Sequence, residues 1–198
     1  SKSRILINIQ MRKLPLLLML SLLGLVFAGT FSACGDDDDD LEQYREWIVS
    51  NNKWIKAKEA ELNPETGEPM YVKVVPSYDV GAYVLMRWIN DRKETEKNFS
   101  PYYTSTVDVK YIGYLYDGTP FDSSYLLTSN GDSIFRTDLK SVIQGWQIAL
   151  QMMHAGDSCE VIIPFQSAYG NTGSGDIMPY SNLRFNMRLK DVHKYEIK

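Results

Sequence analysis

The sequence has little of the residues on which many active sites depend, with two cysteines and two histidines among 198 residues. The histidines, His154 and His193, lie in sequence contexts that suggest no catalytic triad. The glycine-rich segment from Gly170 to Gly175 lacks the Gly-Lys-Ser/Thr ending of a phosphate-binding loop. The chain also has neither an internal repeat nor the strand–helix alternation of a parallel sheet. These absences weigh against triad-based enzymes and phosphate-loop folds.

Basic residues are outnumbered, with 21 Lys and Arg against 25 Asp and Glu, a formal net charge of −4. Cleavage before Cys34, as in a lipoprotein, would remove four basic residues and no acidic one, which would change the net charge from −4 to −8. The four are Lys2, Arg4, Arg12 and Lys13. Nucleic-acid binding requires a basic face, so we expect no nucleic-acid partner.

A long apolar run, Leu14 to Phe27, is short for a membrane span, which needs about 20 apolar residues. It follows a basic start at Met11 and precedes small and polar residues, which is the order of a secretory signal peptide. We expect residues 1–10 to lie upstream of the true start. The segment ending at Cys34 resembles a bacterial lipobox, which predicts acylation of that cysteine. The alternative is an ordinary signal peptide with an incidental cysteine.

Five adjacent carboxylates, Asp36 to Asp40, follow the predicted anchor. They repel one another, so we expect a disordered tether rather than a calcium loop, which alternates its ligands with other residues. The acidic run also resembles a signal that sends some Gram-negative lipoproteins to the cell surface. We expect a lipid anchor in the outer membrane, on the periplasmic face or the cell surface. Cys159 would then lack a disulfide partner, and its alternating strand predicts a buried thiol.

Residues 41–62 are predicted to form an amphipathic helix, which ends at the turn from Asn63 to Gly67. Asn51 interrupts its apolar stripe at the centre. The stripe comprises Leu41, Tyr44, Trp47, Ile48, Trp54, Ile55 and Leu62. The helix either packs against the domain that follows or joins two copies of the chain through the face of Trp47 and Trp54.

From Met70 onward apolar residues alternate with polar ones, which is typical of strands with one buried face. One short helix, Ser141 to Met153, stands among them, with Ser141 as its N-cap and Gly156 at its exit. The predicted strands are Tyr71–Val75, Ala82–Ile89, Thr106–Tyr116, Cys159–Ile163 and Leu183–Leu189. The pattern predicts an α+β domain whose curved sheet wraps around this helix. The expected division is 1–33 (upstream residues and signal peptide), 34–40 (anchor and tether), 41–67 (helix and turn) and 68–198 (globular domain).

Three ordered motifs lie within the globular domain. The first runs from Val107 to Leu115 and continues through Asp117-Gly118 and Phe121-Asp122-Ser123-Ser124. The second is Val142-Ile143-Gln144-Gly145-Trp146 with Ala149-Leu150, Met153 and Gly156-Asp157. The third is Ile163-Pro164-Phe165 with Ala168-Tyr169-Gly170, Ile177 and Leu183-Arg184-Phe185. In order and spacing they resemble the FKBP family of peptidyl-prolyl cis-trans isomerases over about residues 104–192, and more weakly back to Met70.

The resemblance implies a five- to six-stranded antiparallel half-barrel around one short helix. It also implies rotation about the peptide bond before proline, without metal or cofactor, on proline-containing polypeptides, with a macrolide as a candidate inhibitor. The catalytic residues that it implies are Tyr111, Phe121, Asp122, Ile143, Trp146, Tyr169 and Phe185, and the further substrate-binding residues are Val142, Phe135 and Ile177. Trp146 would form the floor of the pocket between Tyr111 and Phe185.

Periodicity alone would assign these aromatic residues to an ordinary core, and the motifs favour the pocket. Ser133 stands where the family often has a pocket-lining aromatic residue, and Met178-Pro179-Tyr180 replaces a commoner proline pair. These departures leave two functions open. The first is an isomerase that assists the folding of exported proteins. The second is a non-catalytic module that binds proline segments as a chaperone or assembly factor.

Overall fold

The computed structural model describes residues 41–193. The predicted signal peptide, Cys34 and the acidic tether therefore lie outside the described residues. The elements are α1 (Arg45–Glu59), β1 (Val72–Val74), β2 (Val84–Trp88), β3 (Thr106–Leu115), β4 (Pro120–Ser123), β5 (Phe135–Asp138), α2 (Gln144–Gln151), β6 (Ser158–Ile163) and β7 (Leu183–His193). None of the helices within 41–193 has the length and apolar character needed to cross a bilayer.

The strands form one antiparallel sheet in the order β1-β2-β6-β7-β3-β4, with β5 also paired to β3. Strand β3 bonds to β7 along one edge, while its other edge is shared by β4 near Ile112 and by β5 near Val107. This open sheet confirms the predicted α+β architecture. The described part contains seven strands rather than five or six. The outer strand is divided by the loop 124–134, and β1 adds a further strand beyond β2.

The concave face of the sheet packs around α2 and forms the main core. Alternation in β3 places Val107, Val109 and Tyr111 on this face, each at most 1% exposed. Gly145 in α2 lies so close to β6 that an added Cβ would collide with the side chain of Ile163. The missing side chain therefore lets the helix enter the curve of the sheet, as close helix–sheet packing requires.

Helix α1 covers the opposite, convex face. Ile55 packs there in a second cluster of buried residues with Tyr71, Leu85 and Ile162, and Trp54 lies against it. The helix is shorter than the predicted 41–62. Asn51 was predicted to interrupt its apolar stripe, yet it is 1% exposed and hydrogen-bonded on the buried side.

The local structure around α2 corrects one prediction and agrees with another. Ser141 does not cap the helix, because it ends a 3₁₀ turn (Leu139–Ser141) and the helix begins later, after Ile143. The predicted exit is correct, since Gly156 has a φ of 100°, a conformation that favours glycine. The segment between β6 and β7, residues 164–182, is called the flap below.

Candidate active site

Five aromatic rings from different elements meet on the concave face. They are Tyr111 (β3), Phe121 (β4), Phe135 (β5), Trp146 (α2) and Phe185 (β7). The Trp146 ring lies 4.9 Å from Tyr111, 5.3 Å from Phe185 and 6.2 Å from Phe135, all nearly perpendicular. Edge-to-face contacts of this kind are favourable because the positive edge of one ring faces the negative face of the next.

The Tyr111 hydroxyl donates a 2.6 Å hydrogen bond to Oδ2 of Asp122. Asp122 Oδ1 accepts a second hydrogen bond, 2.8 Å long, from the backbone N–H of Ser123. Burial raises the pKa of Tyr111 far above its usual range, and the neighbouring Asp122 carboxylate raises it further. The Tyr111 hydroxyl therefore remains a donor at all ordinary pH values and fixes one oxygen of a partly buried carboxylate.

Ser124 and Gly113 both lie in the first motif, and the structure shows how each of them shapes this site. The Ser124 hydroxyl accepts the backbone N–H of Tyr111 at 2.9 Å, and the Ser124 N–H donates to the Tyr111 carbonyl at 3.0 Å. A Cβ on Gly113 would lie 2.6 Å from Phe121 and 2.8 Å from Phe185. Only a glycine leaves both rings in place, and this accounts for the glycine in the first motif.

Two polar groups beside the cluster have no partner among residues 41–193. They are the backbone N–H of Ile143, just before α2, and the hydroxyl of Tyr169 in the flap. The first N–H groups of a helix have no acceptor within the helix itself. Burial, followed by the Asp122 charge, raises the pKa of Tyr169 to about 12. Its hydroxyl is therefore a neutral donor near neutral pH.

The structure brings all ten predicted site residues into one region. Val142 and Ile177 are buried in the main core, and Ile143 packs against it with Phe121 and Tyr169. Trp146, the expected floor of the pocket, is covered by its neighbours and is 0% exposed. Its indole N–H has no acceptor among the described residues. Solvent instead reaches Phe121, Asp122, Ile143 and Tyr169, which are all partly exposed.

Ser133 does not occupy a strand position as an aromatic wall would. It has a φ of 61°, in the left-handed region, and is 5% exposed. Its hydroxyl donates to Asp132 Oδ1 at 2.9 Å, and its N–H donates to the Leu127 carbonyl at 2.8 Å. Ser133 thus holds the loop 124–134 in shape, and Leu127 from this loop packs against the core.

One group of described side chains has the composition of a metal site, namely Asp108, Asp191 and His193. It lies away from the aromatic cluster, at the other end of β3. Arg136 already binds both carboxylate oxygens of Asp108, at 2.7 and 2.8 Å. His193 Nε2 lies 3.0 Å from Oδ2 of the same carboxylate. These contacts make the group an ion-pair network rather than a set of ligands open to a cation.

Comparisons with known proteins agree with this geometry. A model of the family described as FKBP-type peptidyl-prolyl cis-trans isomerase matches residues 98–190. The FKBP-type isomerase FkpA of Escherichia coli K12 is 39% identical over 100 residues, which cover 50% of this chain and 35% of the relative. The outer membrane protein MIP of Legionella longbeachae is 40% identical over 92 residues, which cover 46% and 38%.

A solved structure extends the likeness beyond the matched domain. The peptidyl-prolyl cis-trans isomerase of Pseudomonas syringae pv. tomato DC3000 superposes with a TM-score of 0.53 at 25% identity, covering 82% of this chain and 100% of that one. By contrast, the chain spans only 35% and 38% of the two curated relatives. Residues 98–190, the part of the chain that contains the aromatic cluster, thus match the FKBP-type peptidyl-prolyl cis-trans isomerase family.

Proposed function

We propose that this chain catalyses cis-trans isomerisation of peptide bonds that precede proline. The observation that carries the proposal is the Tyr111–Asp122 hydrogen bond at the rim of a buried aromatic cluster. It gives the site one fixed carboxylate in otherwise apolar surroundings. The family assignment of residues 98–190 supports the same reaction.

The physical chemistry of the reaction requires such a site. Amide resonance gives the prolyl bond a rotational barrier near 20 kcal/mol. At the 90° twist the resonance is lost, and the carbonyl carries less separated charge than in the planar amide. An apolar, water-excluding surface therefore disfavours the planar ground state more than the twisted transition state. Catalysis follows from this difference, because only interactions that favour the transition state raise the rate constant.

The proposed roles follow from where each group lies. Phe121 and Ile143 offer the partly exposed apolar surface for the proline ring. The Ile143 N–H and the Tyr169 hydroxyl bind the substrate carbonyls that flank the proline, and Asp122 faces the twisting amide. The deeper cluster (Tyr111, Trp146, Phe185, Phe135, Val142 and Ile177) supports these groups and excludes water. Because Trp146 is 0% exposed, deep entry of the ring requires its neighbours to move aside.

Equilibrium exchange spectroscopy tests the activity. A proline peptide with resolved cis and trans resonances is mixed with substoichiometric full chain, and exchange between the two is measured. The peptide alone should show no detectable exchange. With the protein present, we expect exchange to appear and to increase with protein concentration. Unchanged exchange with folded protein would remove the proposal.

A non-catalytic binding module is the second candidate, and one observation favours it. Tyr125 and Leu126 follow Asp122 by a few residues and are 55% and 68% exposed. Such apolar side chains suit the capture of unfolded segments. Suppression of client aggregation that survives both Asp122→Ala and Tyr169→Phe would support this function. Loss of suppression in both variants would support the isomerase alone.

We further propose that the protein acts on exported proteins from a lipid anchor at Cys34. The likeness to an outer membrane protein, MIP, and the lipobox-like sequence support this location. Metabolic labelling with a fatty-acid analogue tests the anchor, and loss of label in Cys34→Ser is expected. Dimerisation through α1 gains no support, because Trp54 and Ile55 already pack on the chain's own sheet.

A further inference from the structure

Helix α1 contacts the flap through two buried asparagines. Asn51 Oδ1 accepts the backbone N–H of Asn182 at 2.8 Å, and Asn182 Nδ2 donates to the Asn51 backbone carbonyl at 2.8 Å. Both residues are 1% exposed. The pair therefore joins the middle of α1 to the last residue of the flap, although the two lie 131 positions apart in the sequence.

The same asparagine joins the other end of the flap. Asn182 Oδ1 accepts the backbone N–H of Phe165 at 2.9 Å, where the flap leaves β6. The indole N–H of Trp47 donates to Ser181 Oγ at 3.1 Å, and Ser181 Oγ donates to the Met178 carbonyl at 2.6 Å. One turn of α1 thus secures the first and last segments of the flap.

The flap carries two of the proposed site residues, Tyr169 and Ile177. Tyr169 follows the secured Phe165 by four residues, and Ile177 directly precedes Met178. Within the flap, the Tyr180 N–H donates to the Gly170 carbonyl at 2.9 Å, next to Tyr169. The Phe165 and Tyr180 rings lie 5.3 Å apart. These contacts link the secured base to the residues that face the site.

An asparagine in an apolar stripe is costly unless every polar atom finds a partner. Asn51 meets this condition, because its Nδ2 donates to the Trp47 carbonyl at 3.0 Å and its Oδ1 accepts the backbone N–H of Asn182. An apolar side chain could fill the space but could not fix the register of the helix against the flap. A single buried polar residue is known to set register in packed helices.

We infer that Asn51 is a positioning residue for the prolyl site, holding the base of the flap so that Tyr169 faces the substrate and Ile177 keeps its place in the supporting cluster. The inference rests on the proposed isomerase function. It makes α1 part of the working enzyme although it lies outside the matched residues 98–190. Release of α1 would loosen the flap and leave the ring cluster intact.

The test compares Asn51→Ala with Asn52→Ala in the full chain. Asn52 is the adjacent residue of the same type and is exposed, so it controls for helix propensity. At a temperature where both variants are folded, we expect kcat/KM to fall about tenfold in Asn51→Ala, the equivalent of one buried hydrogen bond. We expect the fall mainly as a higher KM, because fewer molecules hold the binding-competent flap. Asn52→Ala should stay within about twofold of the wild type.

Hydrogen exchange followed by mass spectrometry gives a readout that does not depend on activity. We expect faster exchange in residues 164–182 of Asn51→Ala, with β3 and β7 unchanged. Trp47→Phe removes the indole donor, keeps a smaller aromatic ring, and provides a milder variant if Asn51→Ala fails to fold. It should loosen residues 178–182 and lower kcat/KM by about threefold.

Two outcomes would overturn the inference. One is that hydrogen exchange of the flap in Asn51→Ala equals that in Asn52→Ala. If only Trp47→Phe folds, the same comparison is made with that variant. The other is faster flap exchange with kcat/KM unchanged. An inactive wild type would instead remove the proposed function, and the exchange measurement alone would then decide whether α1 holds the flap.

Discussion

The phenolic oxygen of Tyr111 lies 2.6 Å from Oδ2 of Asp122, and this hydrogen bond joins a buried ring of the aromatic cluster to the carboxylate at its rim. Tyr111 is 1% exposed, whereas Asp122 is partly exposed. A hydrogen bond thus connects the buried core of the domain directly to the proposed reaction surface. Changes in the core are expected to alter activity through this contact.

Tyr111→Phe removes the donor while keeping the ring. We expect kcat/KM to fall about tenfold, because Asp122 loses the hydrogen bond that orients one of its oxygens. Kinetics with a prolyl peptide measure the effect. Tyr114→Phe is the control, since Tyr114 lies on the same strand but stacks on the Arg184 guanidinium outside the cluster. Equal activity in the two variants would show that the Tyr111 hydroxyl has no role.

Gly113→Ala is expected to damage both stability and activity. The added Cβ would lie 2.6 Å from Phe121 and 2.8 Å from Phe185, so at least one ring must move. We expect a loss of about 1–3 kcal/mol in the free energy of unfolding, measured by denaturant titration. Gly81→Ala serves as control, because its Cβ would meet only Asp79 Oδ1, at 3.4 Å. A Gly113→Ala variant as stable and active as the control would contradict the packing described.

The activity should not vary with pH across the neutral range. Burial and the Asp122 charge raise the pKa of Tyr169 to about 12, and that of Tyr111 is raised further. A group with a raised pKa keeps its proton at every pH below that value, so both hydroxyls remain donors. We expect kcat/KM to be constant from about pH 6 to about pH 9. A marked fall between these limits would show that one of the hydroxyls ionises.

Asp157 is expected to contribute to acid sensitivity of the fold. Burial acts to raise its pKa, but hydrogen bonds from the His154 backbone, Thr95 and Asn90 outweigh this and lower it. A lowered folded-state pKa stabilises the protein above the unfolded value, near 3.9, and this stability is lost as the pH falls through the folded value. Thermal melting from about pH 6 to about pH 2 measures it.

The variant Asp157→Asn isolates this contribution. It should lower stability by about 1–3 kcal/mol at neutral pH and show a weaker dependence on pH in the acid range. Glu96→Gln, which changes an exposed carboxylate nearby, should follow the wild-type curve. An acid transition in Asp157→Asn as steep as that of the wild type would exclude Asp157 as a cause.

The fold could be predicted from the sequence because its signals are local and regular. Alternation placed Val107, Val109 and Tyr111 on one face of β3, and the buried thiol of Cys159, 2% exposed, followed from the same rule. Motif order located the site, since Gly113 lies where the backbone meets the rings of Phe121 and Phe185, and Gly145 lies where it meets the side chain of Ile163. Such close approaches tolerate no alternative residue and therefore leave a recognisable pattern.

Other features depend on contacts between distant segments. Asn51 was interpreted from the sequence as an interruption of an apolar stripe, because its hydrogen-bond partner, Asn182, is 131 residues away. Ser133 was interpreted as the replacement of a pocket-lining aromatic residue, because its φ of 61° cannot be inferred from residue type. Closure of the rings over Trp146 depends on five elements packing at once. No local pattern encodes these three features.

The central claim is tested most directly by the relaxation of a prolyl peptide from its cis-enriched state, followed without a coupling protease. Catalytic amounts of the full chain should increase the rate constant in proportion to protein concentration, and Asp122→Ala with Tyr169→Phe should abolish most of the increase. Relaxation at the uncatalysed rate, with the protein shown to be folded, would contradict the account.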